Sequence, residues 1–136
     1  MSSVADELKR APLFSDLSGR QLRKLTANCR ERTMEAGTSL VQEGAMSGVG
    51  FFVVVEGEAV VSVGGREVMT LVPGDHFGEL AAISERERAA TVTARTRLRC
   101  LEIPLWDFRE FVKANGDFAW KLLQHVVDVL QPAVSG

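Results

Sequence analysis

Residues 74 to 92 read Gly74-Asp75-His76-Phe77-Gly78-Glu79-Leu80-Ala81-Ala82-Ile83-Ser84-Glu85-Arg86-Glu87-Arg88-Ala89-Ala90-Thr91-Val92. A glycine at 78 lets a ligand approach the backbone, and the amides that open a short helix at Glu79, Leu80 and Ala81 then point toward an anion. Arg88 adds a planar cation that can hold two phosphate oxygens through paired N–H bonds, which the compact charge of a lysine does less well. Glu79 is a poor neighbour for phosphate and a good acceptor for a sugar hydroxyl. The stretch therefore carries the parts needed to hold a ribose phosphate.

Each residue also has a plainer reading. Glu85-Arg86-Glu87-Arg88, taken alone, is a solvated loop of alternating charge. Glu79 at the start of a helix would merely complement the helix dipole, for under about 1 kcal/mol. What sets Arg88 apart from Arg86 is the Ala89-Ala90-Thr91-Val92 that follows, which carries Arg88 into a strand beside the glycine turn. Arg86 is assigned to solvent.

Working outward, the stretch from Arg32 to Ile103 breaks into short strands punctuated by Gly37, Gly44, Gly57, Gly64-Gly65 and Gly74 at turn positions. That is the pattern of an antiparallel β-roll. Gly64-Gly65 suits a two-residue hairpin that needs positive φ, and Leu101-Glu102-Ile103 alternates as a half-buried strand would. Helical patterns flank the roll. Residues 3 to 10 and 18 to 29 form the first group, with Ser18 and Gln21 as a capping box and Leu17 and Leu22 as its hydrophobic staple. After Pro104, Leu105, Phe108, Phe111 and Val112 mark one amphipathic helix, which Asn115-Gly116-Asp117 breaks before another begins.

That last helix has an unusually wide apolar arc. With residues spaced about 100° apart, Phe118, Ala119, Trp120, Leu122, Leu123, Val126, Val127, Val129 and Leu130 span roughly 200°, twice what seating on one core requires. Lys121, Gln124, His125 and Asp128 occupy the remainder. The arc predicts either a helix buried between the roll and the N-terminal helices, or one that serves as a lid or dimer seam.

The chain has 136 residues, 46% of them apolar and 25% charged, which is enough for one core and too little for two. A formal charge of −2 argues against general nucleic-acid binding, and the basic cluster Arg20, Arg23, Lys24, Arg30 and Arg32 reads as a solvated helix face. Asp6 and Glu7 and the lack of an apolar run at the start fit no secretory signal, and no stretch reaches membrane-spanning length, so a cytoplasmic protein is expected. Cys29 and Cys100 lack metal or redox spacing and read as buried small hydrophobes.

Phe77-Gly78-Glu79-Leu80-Ala81, an irregular spacer and then Arg88-Ala89-Ala90-Thr91-Val92 resemble, in residue type and order, the phosphate-binding cassette of the cyclic nucleotide-binding domain family, which includes catabolite-activator transcription factors, protein kinase regulatory subunits and gated channels. Glu35-Ala36-Gly37, Gln42-Glu43-Gly44, Glu56-Gly57-Glu58 and Pro73-Gly74-Asp75 fall where that family's roll places its turns, so the resemblance covers nearly the whole chain. It implies an α+β, mainly β fold: a jelly-roll-like antiparallel β-roll with N-terminal helices, a short phosphate-binding helix and two C-terminal helices. The expected organisation is one domain over 1–136, with helices in 1–30, the roll in 31–103 holding a cassette at 77–92, and helices in 104–136.

In that family the glutamate binds the ribose 2′-hydroxyl, the arginine binds the cyclic phosphate and the amides between them complete the site. The resemblance implies these roles for Glu79 and Arg88, with Gly78, Leu80 and Ala81 supplying the backbone. A hydroxyl residue directly after the arginine accompanies cGMP preference in the family's kinases, and Ala89 has none, which leans toward cAMP without excluding cGMP. The hydroxyls with which catabolite activators read adenine are missing from Pro132-Ala133-Val134. The base is left to pack on apolar residues such as Val61 and Met69.

The expected function is thus a cAMP-binding regulatory module without cofactor, signalling through its last helix to an unknown effector protein or a second copy of itself, with no direct contact to nucleic acid or membrane. The alternative is an interaction domain on the same fold that takes no ligand. A cupin-type metalloenzyme needs several converging ligands, for which His76 and His125 are too few. No nucleophile is paired with a base, so a bound cyclic ester should stay intact.

Overall fold

The computed structural model describes residues 3–41, 50–78 and 90–130. In chain order these form helix α1 (Val4–Lys9), a 3-10 turn (Pro12–Phe14), α2 (Gly19–Thr26), strands β1 (Arg30–Met34), β2 (Ser39–Val41), β3 (Gly50–Glu56), β4 (Ala59–Val63), β5 (Arg66–Leu71), β6 (His76–Phe77), β7 (Thr91–Ala94) and β8 (Leu98–Pro104), then helices α3 (Leu105–Ala114) and α4 (Gly116–Leu130). The strands make two four-stranded antiparallel sheets, ordered β1-β8-β3-β6 and β2-β7-β4-β5. The architecture is the β-roll with flanking helices.

Local chemistry explains the boundaries. The hydroxyl of Ser18 accepts from the Gln21 amide while the Gln21 side chain accepts from the Ser18 amide, and Leu17 and Leu22 are both buried beside this cap. Ser3 and Asp6 build a second capping box at α1, which the sequence reading did not single out. Gly64 and Gly65 take φ of 58° and 80°, closing the expected hairpin with Val63 opposite Arg66. Gly57, at φ 86°, sits where a β-carbon would stand 2.1 Å from the Arg97 carbonyl oxygen, so the turn after β3 closes against the chain entering β8.

The first sheet has a core on each face. Phe51, Val53, Leu101 and Ile103 pack against the helices, in one cluster with Leu8, Phe14, Leu25, Phe108, Phe118 and Leu122. Phe52, Val54, Leu98 and Cys100 point the other way, into the roll, with Ala59, Leu71, Phe77, Val92 and Ala94. This corrects the half-buried reading of Leu101-Glu102-Ile103: all three are buried, Glu102 to 3% exposure. Its carboxylate is tolerated because Arg32 donates to it at 3.0 Å and Arg30 at 3.3 Å. Those two arginines therefore belong to β1 and not to a solvated helix face, while Arg20, Arg23 and Lys24 do lie exposed on α2. Arg99, on the helix-facing side of β8, meets the carboxylates of Glu7, Glu31 and Glu56 and fastens α1 to the sheet. The hydrogen bond it donates to Glu7, then that to Glu31, hold its guanidinium more firmly protonated than an ordinary arginine.

Helix α4 seats differently from its polarity. Phe118 and Leu122 are buried, and Lys121 and His125 lie half-buried on the same side. Lys121 reaches the Pro12 carbonyl at 2.6 Å and Asp16 at 3.0 Å. Trp120, Leu123 and Val127 face outward at 63%, 51% and 41% exposure. The wide apolar arc is thus covered along one stripe and bare along the opposite one, so the helix is not enclosed between roll and N-terminal helices. Among the described residues no helix is long and apolar enough to cross a membrane.

Candidate functional site

Strand β6 is the edge of the first sheet, and its two residues face opposite ways. His76 pairs with Val53 and Phe77 with Phe52, so His76 turns toward the helices and Phe77 toward the roll interior. Phe77 stacks on Phe52 with centroids 4.9 Å apart and planes 9° from parallel. Gly78 follows at φ 104°, a backbone conformation that strains any side chain. The chain is described again from Ala90 and enters β7, which lies inside the second sheet between β2 and β4. The strand before the cassette thus lies at the edge of one sheet and the strand after it in the middle of the other.

Of the candidate site residues, Gly78, Val61 and Met69 are described, whereas Glu79, Leu80, Ala81, Arg88 and Ala89 lie outside the described residues, as do Gly44 and the 132–134 stretch. Val61 stands opposite Met69 on β5 and opposite Val92 on β7. All three share the inward face with Ala59, Leu71 and Ala94. Val92 is buried and Val61 partly so, yet Met69 remains 46% exposed. This inward-facing row is an apolar wall that grades from buried at Val92 to open at Met69. Val92 and Leu71 belong to this wall and were not singled out from the sequence; the register that places them is visible only once the strands are paired.

The two thiols are free. Burial pushes Cys100 up to about 12, and burial followed by the charge of Glu102 pushes Cys29 up to about 11, so both are protonated and inert at neutral pH. Among the described residues no three His, Cys, Asp or Glu side chains are placed to hold a metal ion.

Comparison with known proteins agrees with this geometry. Residues 31–115 match the family model of the cyclic nucleotide-binding domain, and the chain belongs to that family. It is 40% identical over 94 residues to a cAMP-dependent protein kinase regulatory subunit of Yarrowia lipolytica, covering 68% of this chain and 25% of that protein. It is 35% identical over 108 residues to a cyclic nucleotide-gated potassium channel of Mesorhizobium japonicum, covering 79% and 30%. Among solved structures, the regulatory domain of the Toxoplasma gondii cAMP-dependent kinase in complex with cAMP superposes with a TM-score of 0.77 at 27% identity, covering 89% of this chain and 48% of that one. The chain spans between a quarter and a third of the length of these two curated relatives. Domains of this family are regulatory rather than catalytic.

Proposed function

We propose that the chain binds cAMP between residues 78–89 and the wall formed by Val61, Met69 and Val92, and passes the signal on through α4. The observation that carries this is the left-handed backbone of Gly78 at the junction between β6 and the cassette. A glycine at this junction leaves no β-carbon in the way of a phosphate. In this reading Arg88 neutralises the cyclic phosphate, Glu79 accepts from the ribose 2′-hydroxyl, the amides of Gly78, Leu80 and Ala81 complete the anion seat, and the base lies on the wall. Ala89 offers no hydroxyl to a guanine amino group, so cAMP is favoured over cGMP, by a modest margin because the wall is apolar. The similarity to a cAMP-dependent kinase regulatory subunit and to a regulatory domain in complex with cAMP supports the same choice.

No catalytic role is assigned: the chain acts as a receptor, and its output is a change in the packing of α4 on an effector protein or on a second copy. The bare row Trp120, Leu123 and Val127 supports α4 as the contacting surface. We place the protein in the cytoplasm, without direct contact to nucleic acid or membrane. Calorimetric titration with cAMP, cGMP and 5′-AMP tests the reading. Saturable 1:1 binding in the order cAMP, cGMP, 5′-AMP is expected. No heat with any of them at millimolar ligand would sink it in favour of a ligand-free interaction domain.

A further inference from the structure

We infer that Thr33 is a phosphate-acceptor site, and that a phosphate there draws Arg99 away from Glu7 and unfastens α1 from the first sheet. Thr33 is exposed on the edge strand β1 and stands directly opposite Arg99 in the β1–β8 register. Opposed residues on neighbouring strands share a face with their β-carbons about 5 Å apart, so the Thr33 hydroxyl lies beside the Arg99 side chain. Arg30 and Arg32 precede Thr33 on the other face of the strand, with side chains 72% and 39% exposed. They offer a kinase with an acidic cleft something to hold. Thr26 also follows two basic residues, Arg23 and Lys24, but it lies half-buried in α2 and its hydroxyl donates to the Leu22 carbonyl at 2.9 Å.

In the modification, Thr33 Oγ1 attacks the γ-phosphorus of an ATP held by the kinase. The new O–P bond replaces the bond to the leaving ADP, and the hydroxyl proton passes to the kinase's base. The product carries about −1.5 to −2 charges and three strong acceptor oxygens.

Three carboxylates share the Arg99 guanidinium: Glu7, Glu31 at 2.6 Å and Glu56 at 3.2 Å. Glu31 and Glu56 sit on β1 and β3, which flank β8 on either side, and they stay beside Arg99 whatever α1 does. Only Glu7 belongs to a helix, so only Glu7 is free to leave. Arg97, the next cation along, meets Glu35 at 3.9 Å with both side chains well exposed, and can turn toward the phosphate as well. The phosphate thus competes for Arg99 and repels the Glu7 carboxylate. Even in bulk water two unit charges about 4 Å apart shift an equilibrium about fivefold, and this phosphate carries more than one. Leu8, next to Glu7, is buried in the helix-side core, so lifting α1 bares apolar surface. Neither step needs a bound cyclic nucleotide.

Phosphothreonine installed at position 33 during translation, compared with the unmodified chain by hydrogen exchange, tests the switch. Peptides covering 4–10 should lose protection at least about fivefold, while β3 and α3 keep theirs. Arg99→Gln should show the loss already without phosphate, and phosphate should add nothing to it. Unchanged exchange over 4–10 in the phosphorylated chain, or a further loss of equal size in the Arg99→Gln background, overturns the switch. The acceptor is tested on the native chain with the catalytic subunit of an arginine-directed serine/threonine kinase and Mg-ATP. Peptide mapping should find phosphate on Thr33 and none on Thr26, and its absence from Thr33 overturns the acceptor assignment.

Discussion

The Arg32 guanidinium donates to the buried Glu102 carboxylate at 3.0 Å, and Arg30 reaches the same oxygen at 3.3 Å. Removing the whole partner of a buried charge costs about 3–5 kcal/mol. Because Arg30 remains and Arg32 is itself half open to water, Arg32→Ala should cost less, about 1–3 kcal/mol. In a Glu102→Leu background the same change should cost well under half as much. Urea denaturation of the four proteins of this cycle measures the coupling, and equal costs in both backgrounds would show that the pair contributes nothing.

Two glycines with positive φ should respond differently to alanine. At Gly64 a β-carbon meets nothing within 4 Å, so Gly64→Ala should cost only the left-handed conformation, about 1–2 kcal/mol. At Gly57 it would stand 2.1 Å from the Arg97 carbonyl oxygen and 2.9 Å from the Thr96 hydroxyl. Overpacking adds about 1–3 kcal/mol, so Gly57→Ala should cost about 2–5 kcal/mol. Thermal denaturation ranks the two, and a Gly64 variant that is the less stable would contradict the account.

These glycines were legible in the sequence because turns that need positive φ leave a local signature. The same holds for the Ser18 capping box and for the helix after Pro104. Glu102 was not legible: it shares the roll face of β8 with Leu98 and Cys100, and its burial depends on β1, far away in the chain, whose Arg30 and Arg32 meet its carboxylate. The run Phe51-Phe52-Val53-Val54-Val55 on neighbouring β3 was the available hint of a sheet buried on both faces. Helix α4 misled for another reason. Sorting side chains by polarity put Lys121 and His125 outside, but a lysine stem can lie along apolar surface while its ammonium reaches a carbonyl, and an imidazole can pack as a ring. At the candidate site, Gly78 is proposed from its residue type and Val61 and Met69 from the resemblance, while the face they share with Val92 emerges only from the register of β4, β5 and β7.

Both thiols are raised in the folded chain, so folding favours their protonated forms. That contribution is fully present below the ordinary thiol value of 9.0 and is lost as pH rises toward about 11 for Cys29 and about 12 for Cys100. At 1.36 kcal/mol per unit, Cys100 alone should remove about 2 kcal/mol between pH 9 and pH 10.5. Cys100→Ala should start lower because of its cavity but show a shallower alkaline decline. Urea midpoints at both pH values check this, and identical slopes would refute it.

Arg88 and its neighbour Arg86 give a sharp contrast. Stranding a phosphate without its cation in a partly dry site costs about 3–5 kcal/mol, so Arg88→Ala should weaken cAMP at least about a hundredfold. Arg86→Ala should leave it within a few fold. Calorimetry of the two variants decides, and near-wild-type binding by the Arg88 variant would remove the phosphate role from this residue.

Trp120 is the reporter for α4. Its ring is 63% exposed on the bare side of the helix, and the second tryptophan, Trp106, is 68% exposed on α3. Replacing Trp106 by Phe costs little at so open a position and leaves Trp120 as the sole indole. A ligand can shift α4 between two packings only if it contacts them differently, as it would if the end of the helix closed over the base on the Val61 and Met69 wall. In that event the exposed stripe is rearranged. Saturating cAMP should move the Trp120 emission to shorter wavelength and slow hydrogen exchange over 117–128, and 5′-AMP should do neither. Leu123→Lys, which puts a charge into the same stripe, should reduce the emission shift; if the stripe pairs two copies it should also lower the sedimentation coefficient at a fixed concentration. An emission spectrum unchanged when calorimetry shows full occupancy would mean that α4 takes no part in the response.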